Sequence, residues 1–482
     1  MQFQSTRDSA LRVSSSEAIV RGLAPKSGLF VPESFPQADL EGWKSLSYPA
    51  LAEQVLKGFL TDYSADFLHS ATVATYGEAF GGKAGETVKV SDGVYALELW
   101  HGPTCAFKDY ALQLMPKLLA EAKKNLGRTE ITRILVATSG DTGKAALAGY
   151  ADLDGIEIEV FYPNAGTSEI QHLQMATQKG ENVQVYAVEG NFDDAQTGVK
   201  RVFADDTVAA ELEARHIRLS SANSINWGRL VPQIVYYFYA YFRLAEQGAV
   251  EWGKPVDFCV PTGNFGDILA GYYAKQMGLP VGKLICASNK NNVLTDFIKT
   301  GTYDARRTFY KTTSPSMDIL ISSNLERLLL HTSGSAEKVE GWMQELAATG
   351  KYTVDADTLA KIQANFAAGY ADDAAGAAEI RARFERDGYL CDTHTAVAFH
   401  VAEANRSTAP MVVLSTASPF KFPRDVLAAL GETAPESDFA AMAALTAKTG
   451  AAAPASLREL DKLPVRFNTV IQPGEIRAAA LR

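Results

Sequence analysis

The chain has 482 residues, 47% hydrophobic and 21% charged, with a formal net charge of −10. That length suits two or three globular domains, and the acidic balance without any Lys/Arg run argues against a nucleic-acid surface. Four scattered cysteines (Cys105, Cys259, Cys286, Cys391) and seven histidines without ligand spacing predict no disulfide framework and no metal, as in the reducing cytoplasm.

The N-terminal stretch Met1–Arg12 is polar and has no apolar signal core. Residues 1–95 read as a mixed, helix-containing N-terminal domain with little strand pattern. Next comes His101-Gly102-Pro103-Thr104-Cys105-Ala106-Phe107-Lys108-Asp109-Tyr110. A helix starting there puts Phe107, Ala111, Leu114, Met115, Leu118 and Leu119 on one buried stripe, with Lys108 inside it and Lys117, Lys123 and Lys124 outside. A lysine on a buried face is costly unless paired, neutralised or used, and a desolvated amine is primed to attack a carbonyl.

Downstream, the runs Ile134–Ala137, Ile156–Tyr162, Val183–Val188, Phe258–Val260, Leu284–Ala287 and Met411–Ser415 read as strands. They alternate with helical patterns, which predicts a parallel α/β fold with ligands beyond the carboxyl ends of the strands. The apolar run Val231–Phe242 is too short to span a bilayer and contains Pro232 and Gln233, so no membrane partner is expected. The Ala-rich stretches Ala367–Ala378 and Ala440–Ala455 read as helices, the second ended by Pro454.

Three strand-end loops carry chemistry. Ala137-Thr138-Ser139-Gly140-Asp141-Thr142-Gly143-Lys144-Ala145 is not a P-loop, because Thr138 and Ala145 stand where glycine and Ser/Thr are needed; its hydroxyls and amides suit a carboxylate. Val260-Pro261-Thr262-Gly263-Asn264-Phe265-Gly266-Asp267 runs from strand through glycine loop to helix, an arrangement that binds phosphate or serves as a plain βα turn. In Leu414-Ser415-Thr416-Ala417-Ser418-Pro419-Phe420-Lys421, the hydroxyls either meet a ring nitrogen or cap the next helix.

In combination these segments resemble the threonine synthase family, pyridoxal-phosphate enzymes of the tryptophan-synthase-β-like group, fold type II. The resemblance also runs through Ser5-Thr6-Arg7, Gly28–Pro32, Ser221–Trp227, Ser314–Ile319 and Thr393–Val397, and it matches the longer form of the family. It implies that residues 96–482 are a catalytic region with a large domain and a smaller inserted α/β domain over 110–220. It implies that Lys108 holds pyridoxal 5′-phosphate covalently, that Gly263, Asn264, Phe265, Gly266 and Asp267 surround the cofactor phosphate, and that Thr416 meets the pyridine nitrogen. Ser139, Gly140, Asp141 and Thr142 fall near the substrate carboxylate; Arg229, helped by Asn223, Ser224, Asn226, Ser314 and Ser316, is the choice for the substrate phosphate, with Lys144 and Lys421 as competitors. The implied reaction converts O-phospho-L-homoserine and water to L-threonine and phosphate, by a monomer or homodimer; a phospho-lyase or a threonine/serine dehydratase of the same fold is the alternative. Cys105, Lys144, Ser418, Phe420 and Lys26-Ser27 depart from the family's usual residues.

Overall fold

A computed structural model describes residues 1–138, 140–164 and 167–482. Strands are numbered in chain order. The larger sheet has the order β14 (Phe366–Tyr370), β11 (Val281–Ser288), β10 (Val256–Pro261), β15 (Met411–Ser415), β5 (Val94–Glu98), β4 (Glu86–Ser91), all parallel except the final antiparallel β4–β5 pair. The smaller sheet is wholly parallel, in the order β16 (Val470–Ile471), β8 (Val183–Val188), β7 (Ile156–Pro163), β6 (Ile131–Ala137), β9 (Ile217–Ser220). Each of the six expected strands lies within one of these. Among the described residues there are two further small sheets: β1 (Phe3–Ser5), β2 (Asp8–Val13) and β3 (Phe30–Pro32), and the pair β12 (Thr302–Asp304) and β13 (Lys351–Thr353).

The apolar run 231–242 belongs to the helix Trp227–Glu246, which is buried nearly all round, its Arg229 and Gln233 included. Trp227 at its start packs against Phe3, Phe59 and Tyr273, with ring centroids 5.1, 5.4 and 5.5 Å away. Such aromatic pairs contribute roughly 0.5–1.5 kcal/mol each beyond area burial. The N-terminal region thereby clamps the segment that leads to Arg229. Buried Arg327 adds a second clamp, donating to Phe30 O at 2.9 Å and Ile225 O at 2.6 Å.

Several local expectations need correction. Residues 1–95 contain β1–β4 and the start of β5, whose short, partly polar runs carry little period-two signal. The stretch 367–378 is not one helix: Phe366–Tyr370 pairs with β11 from Leu284↔Phe366 to Ser288↔Tyr370, and tertiary pairing overrides the helix preference of its alanines. Its helix runs from Asp373, capped by Asp372, to Asp387. The helix in 440–455 is Asp438–Thr449, ended by left-handed Gly450 at φ 72° before Pro454 is reached. The helix after Lys108 is split into Asp109–Leu112 and Met115–Asn125, with Pro116 opening the second piece. Lys123, expected on the solvent side, is buried and donates to Gly155 O at 3.0 Å.

Candidate active site

Loops following β5, β6, β9, β10, β11 and β15 meet at the carboxyl ends of the two sheets. Lys108 lies among them at the start of the helix Asp109–Leu112, its side chain 12% exposed. Its Nζ donates to Ser316 Oγ at 3.3 Å and lies 3.9 Å from Asp141 Oδ2. Burial lowers its pKa; Asp141 and Asp267 oppose the shift, and Lys421 and Arg229 reinforce it. An amine so depressed reaches its nucleophilic, proton-accepting form at milder pH than a surface lysine.

The loop after β10 forms a cup. Among the described residues, the amides of Gly263, Asn264, Phe265 and Gly266 have no hydrogen-bond partner, and they lead into the positive end of the helix Gly266–Gln276. Phe265 is held left-handed at φ 64°, a strained conformation for a residue with a Cβ. The cup is pinned from behind: Ser322 Oγ donates to Gly263 O at 2.8 Å, and Asn324 N to Asn264 O at 3.1 Å. A Cβ on Gly263 would lie 2.8 Å from Ser316 O, so only glycine lets the cup approach the segment that touches Lys108. Asp267, buried in the first turn, is pushed up to about 6 by burial, against hydrogen bonds from the Ile268 amide and its own amide and the charge of Lys108.

A second helix N-terminus faces the cleft from the smaller sheet. Thr138 Oγ1 accepts from the amides of Gly140 and Gly143, both at 3.0 Å, leaving those of Asp141 and Thr142 without a partner among the described residues. Gly140 adopts φ 150° with the Gln171 side chain where a Cβ would stand. Ser139 lies outside the described residues. Thr416 is buried; its amide donates to Thr395 Oγ1 at 3.2 Å and its carbonyl accepts from Phe107 N at 2.8 Å, while its hydroxyl has no partner among the described residues.

Arg229 is buried beneath the loop after β9. One Nη donates to Ala222 O at 2.8 Å; its buried Nε has no partner among the described residues. Burial lowers its pKa to about 10, against the pull of Tyr150. Asn223 is exposed and accepts from Ser224 Oγ at 3.3 Å. Ser224 Oγ is 3.5 Å from Ser323 Oγ, which donates to Asn264 at 3.2 Å, so this loop adjoins the cup. Asn226 acts on its own segment: it caps the helix Trp227–Glu246 through Gly228 N at 2.8 Å and donates to Ile19 O at 2.9 Å. Ser314 is buried in a network with Asn289 and Thr312.

The structure adds groups that sequence reasoning missed or left open. Lys421 is fully buried and reaches Asp141 Oδ1 at 2.7 Å and Thr104 O at 3.0 Å; Gln171 donates to the same carboxylate oxygen at 3.1 Å. Burial alone would raise Asp141, but Lys421 and Lys108 hold it well below the usual carboxylate range. Lys144 points elsewhere, to Gln178 Oε1 at 2.6 Å, with its pKa lowered to about 8 by burial. His394 accepts from Ser316 N at 3.1 Å on Nε2, and its Nδ1 lies 2.7 Å from Asp392, which fixes a neutral ring's proton on Nδ1. Away from these groups, Glu86, Glu98 and His101 converge across the β4–β5 hairpin, a grouping that sequence spacing hides; His101 Nε2 is 2.7 Å from Glu98.

Together these residues fit pyridoxal phosphate: amides without a partner among the described residues for its phosphate, a desolvated amine for its aldehyde and a hydroxyl without a partner among the described residues for its ring. The comparisons agree. Residues 2–76 match the family described as "Threonine synthase N terminus", 83–416 "Pyridoxal-phosphate dependent enzyme" and 395–478 "Threonine synthase, C-terminal". Over 431 residues the chain is 42% identical to human "Threonine synthase-like 1", covering 86% of this chain but only 58% of that longer protein. It is 40% identical to the threonine synthase of Pseudomonas aeruginosa over 88% of this chain and 90% of the other. The crystal structure of pyridoxal-phosphate-bound threonine synthase from Brucella melitensis superposes with a TM-score of 0.90 at 38% identity, covering 100% of this chain and 99% of that one.

Proposed function

The chain belongs to the threonine synthase family of pyridoxal-phosphate-dependent enzymes, and from that premise we propose that it converts O-phospho-L-homoserine and water to L-threonine and phosphate. One observation carries the reading to this substrate. A second anion-seeking group, the buried Arg229, lies near enough for its charge to act on Lys108, and its Nε has no partner among the described residues; a substrate phosphate separate from the cofactor's would bind there. An enzyme of the same fold acting on threonine or serine has no use for it.

The residues divide the work. Gly263, Asn264, Phe265 and Gly266 hold the cofactor phosphate through their amides, and Thr416 offers its hydroxyl to the ring nitrogen. When bound, pyridoxal phosphate supplies an electron sink for negative charge developing on substrate carbons. The amides of Asp141 and Thr142 take the substrate carboxylate, with Gly140 allowing close approach. Arg229, Asn223 and Ser224 grip the substrate phosphate and orient it as the leaving group. Lys108 would hold the cofactor and, as an amine whose pKa burial lowers, would take the Cα proton and later return one.

The same reading divides the chain into an N-terminal region, 1–95, and a catalytic region, 96–482, whose inserted α/β unit, 110–220, is completed by Val470–Ile471. It also makes the protein a cytoplasmic monomer or homodimer, for which the four free, buried cysteines are suited; no helix among the described residues is long and apolar enough to cross a membrane. The test is product analysis with pyridoxal phosphate and O-phospho-L-homoserine. Equal threonine and phosphate support the synthase. Phosphate with 2-oxobutyrate and no threonine means a phospho-lyase, and no phosphate release refutes the substrate.

A further inference from the structure

One carboxylate in the cleft stands between two lysines and is held unequally. Lys421 grips Asp141 Oδ1 at 2.7 Å, while Lys108 lies 3.9 Å from Oδ2. Lys421 has no exposed side-chain surface, and its other contact is Thr104 O at 3.0 Å, so its charge acts inside the protein. Thr104 is fixed in turn by Asp109, which accepts from its amide at 2.8 Å and its hydroxyl at 2.7 Å. Lys421 sits in the turn after β15, and Asp141 opens the helix after β6. The pair therefore ties a loop of the larger sheet to a loop of the smaller one, directly beside Lys108. The charged groups facing Lys108 are Asp141, Lys421, Arg229 and Asp267.

We propose that Lys421 is a positioning residue: by holding Asp141 through Oδ1, it withholds that carboxylate from Lys108 and leaves the Lys108 amine free to engage the cofactor and carry protons. Without Lys421, Asp141 is a buried anion whose near cation is Lys108. A small rotation closes the gap, and the contact pair keeps Lys108 as an ammonium, which has no lone pair for a carbonyl. Breaking a buried pair leaves an uncompensated charge that must find another partner. Asp141 then has a dual character: its amide serves the substrate, and its side chain is kept occupied by Lys421.

The inference rests on reading Lys108 as the cofactor lysine, and the experiment separates the two. Apo protein is mixed with pyridoxal phosphate across a pH series, and capture is read from the absorbance of the lysine-bound cofactor, without substrate. Lys421→Met is expected to move the capture midpoint up by about one pH unit or more, as an opposite charge within contact range does. Asp141→Asn leaves Lys421 as an extra uncompensated cation and moves the midpoint down. The double variant returns it to the wild-type value. An unshifted midpoint in Lys421→Met, or a double variant shifted as far as Lys421→Met, overturns the proposal. If Lys421→Met does not fold, Asp141→Asn decides: an upward shift or none overturns it. Failure of the wild type to show lysine-bound absorbance, or its persistence in Lys108→Ala, refutes the reading of Lys108 instead.

Discussion

Gly263→Ala tests how tightly the phosphate cup is set against the lysine. The added Cβ would stand 2.8 Å from Ser316 O and 3.3 Å from Met317 Cα, both backbone atoms that cannot rotate aside. Restoring ordinary contact moves the 315–317 turn by about half an ångström or more, and overpacking of this kind costs about 1–3 kcal/mol. Ser316 Oγ already accepts from Lys108 at 3.3 Å, near the limit of a hydrogen bond, so the displacement breaks that contact. Without cofactor the turn can drift; with cofactor, cup and lysine must both be in place, so the cost falls on binding. We expect cofactor affinity to fall by about 5- to 150-fold, the equivalent of that range, measured by equilibrium titration of the apo protein. Gly341→Ala is the control: it lies within the helix Ala336–Thr349, its Cβ meets nothing within 4 Å, and it should stabilise by about 0.5–1 kcal/mol with unchanged affinity. Equal behaviour of the two variants would refute the reasoning.

Lys108→Ala should abolish both the lysine-bound absorbance and turnover; measurable threonine formation would contradict its role. Arg229→Ala should lower kcat/KM for O-phospho-L-homoserine by about 10- to 150-fold, since hydrogen bonds to charged groups contribute about 1.5–3 kcal/mol, with circular dichroism confirming the fold; unchanged kcat/KM would remove Arg229 from the phosphate site. Glu159 is pushed up to about 7 by burial, against Arg133 and with help from Glu157, and its Oε2 has no partner among the described residues. Its unfolded value is near 4.5, so the native state keeps a proton that the unfolded state releases between those values. Its contribution is full below about 4.5 and lost as pH rises through about 7. Glu159→Gln should therefore raise Tm at pH 8 and flatten its dependence on pH across that window; a lower Tm at pH 8 would show that the carboxylate is satisfied.

Local signals were legible and long-range pairings were not. β6, β7, β8, β10, β11 and β15 announce themselves because β-branched runs end in loop-forming residues, and Lys108 stands out by falling on an apolar stripe. β14 was hidden because an Ala-rich run carries no period-two pattern; only its pairing with β11 makes it a strand. Lys421 was visible only as a residue near the cleft, since its partner Asp141 lies far away in the chain. Gln171 and Arg327 show the same limit: both act through buried contacts with residues remote in sequence. Asn226 shows the converse, for a motif residue commits its side chain to a helix cap and to Ile19.

The pairing of β16 with β8 has a consequence for biosynthesis. Ile471 caps the edge of β8, its carbonyl accepting from Glu189 N at 2.9 Å, and Thr469 O accepts from Ala187 N at 3.0 Å. During translation β8 emerges long before its neighbour. At about 5–20 residues per second the delay is about 15 to 55 s, and throughout it the nascent sheet presents a bare strand edge. Ribosome-bound intermediates ending before residue 469 should be the species most prone to aggregate or to recruit chaperones.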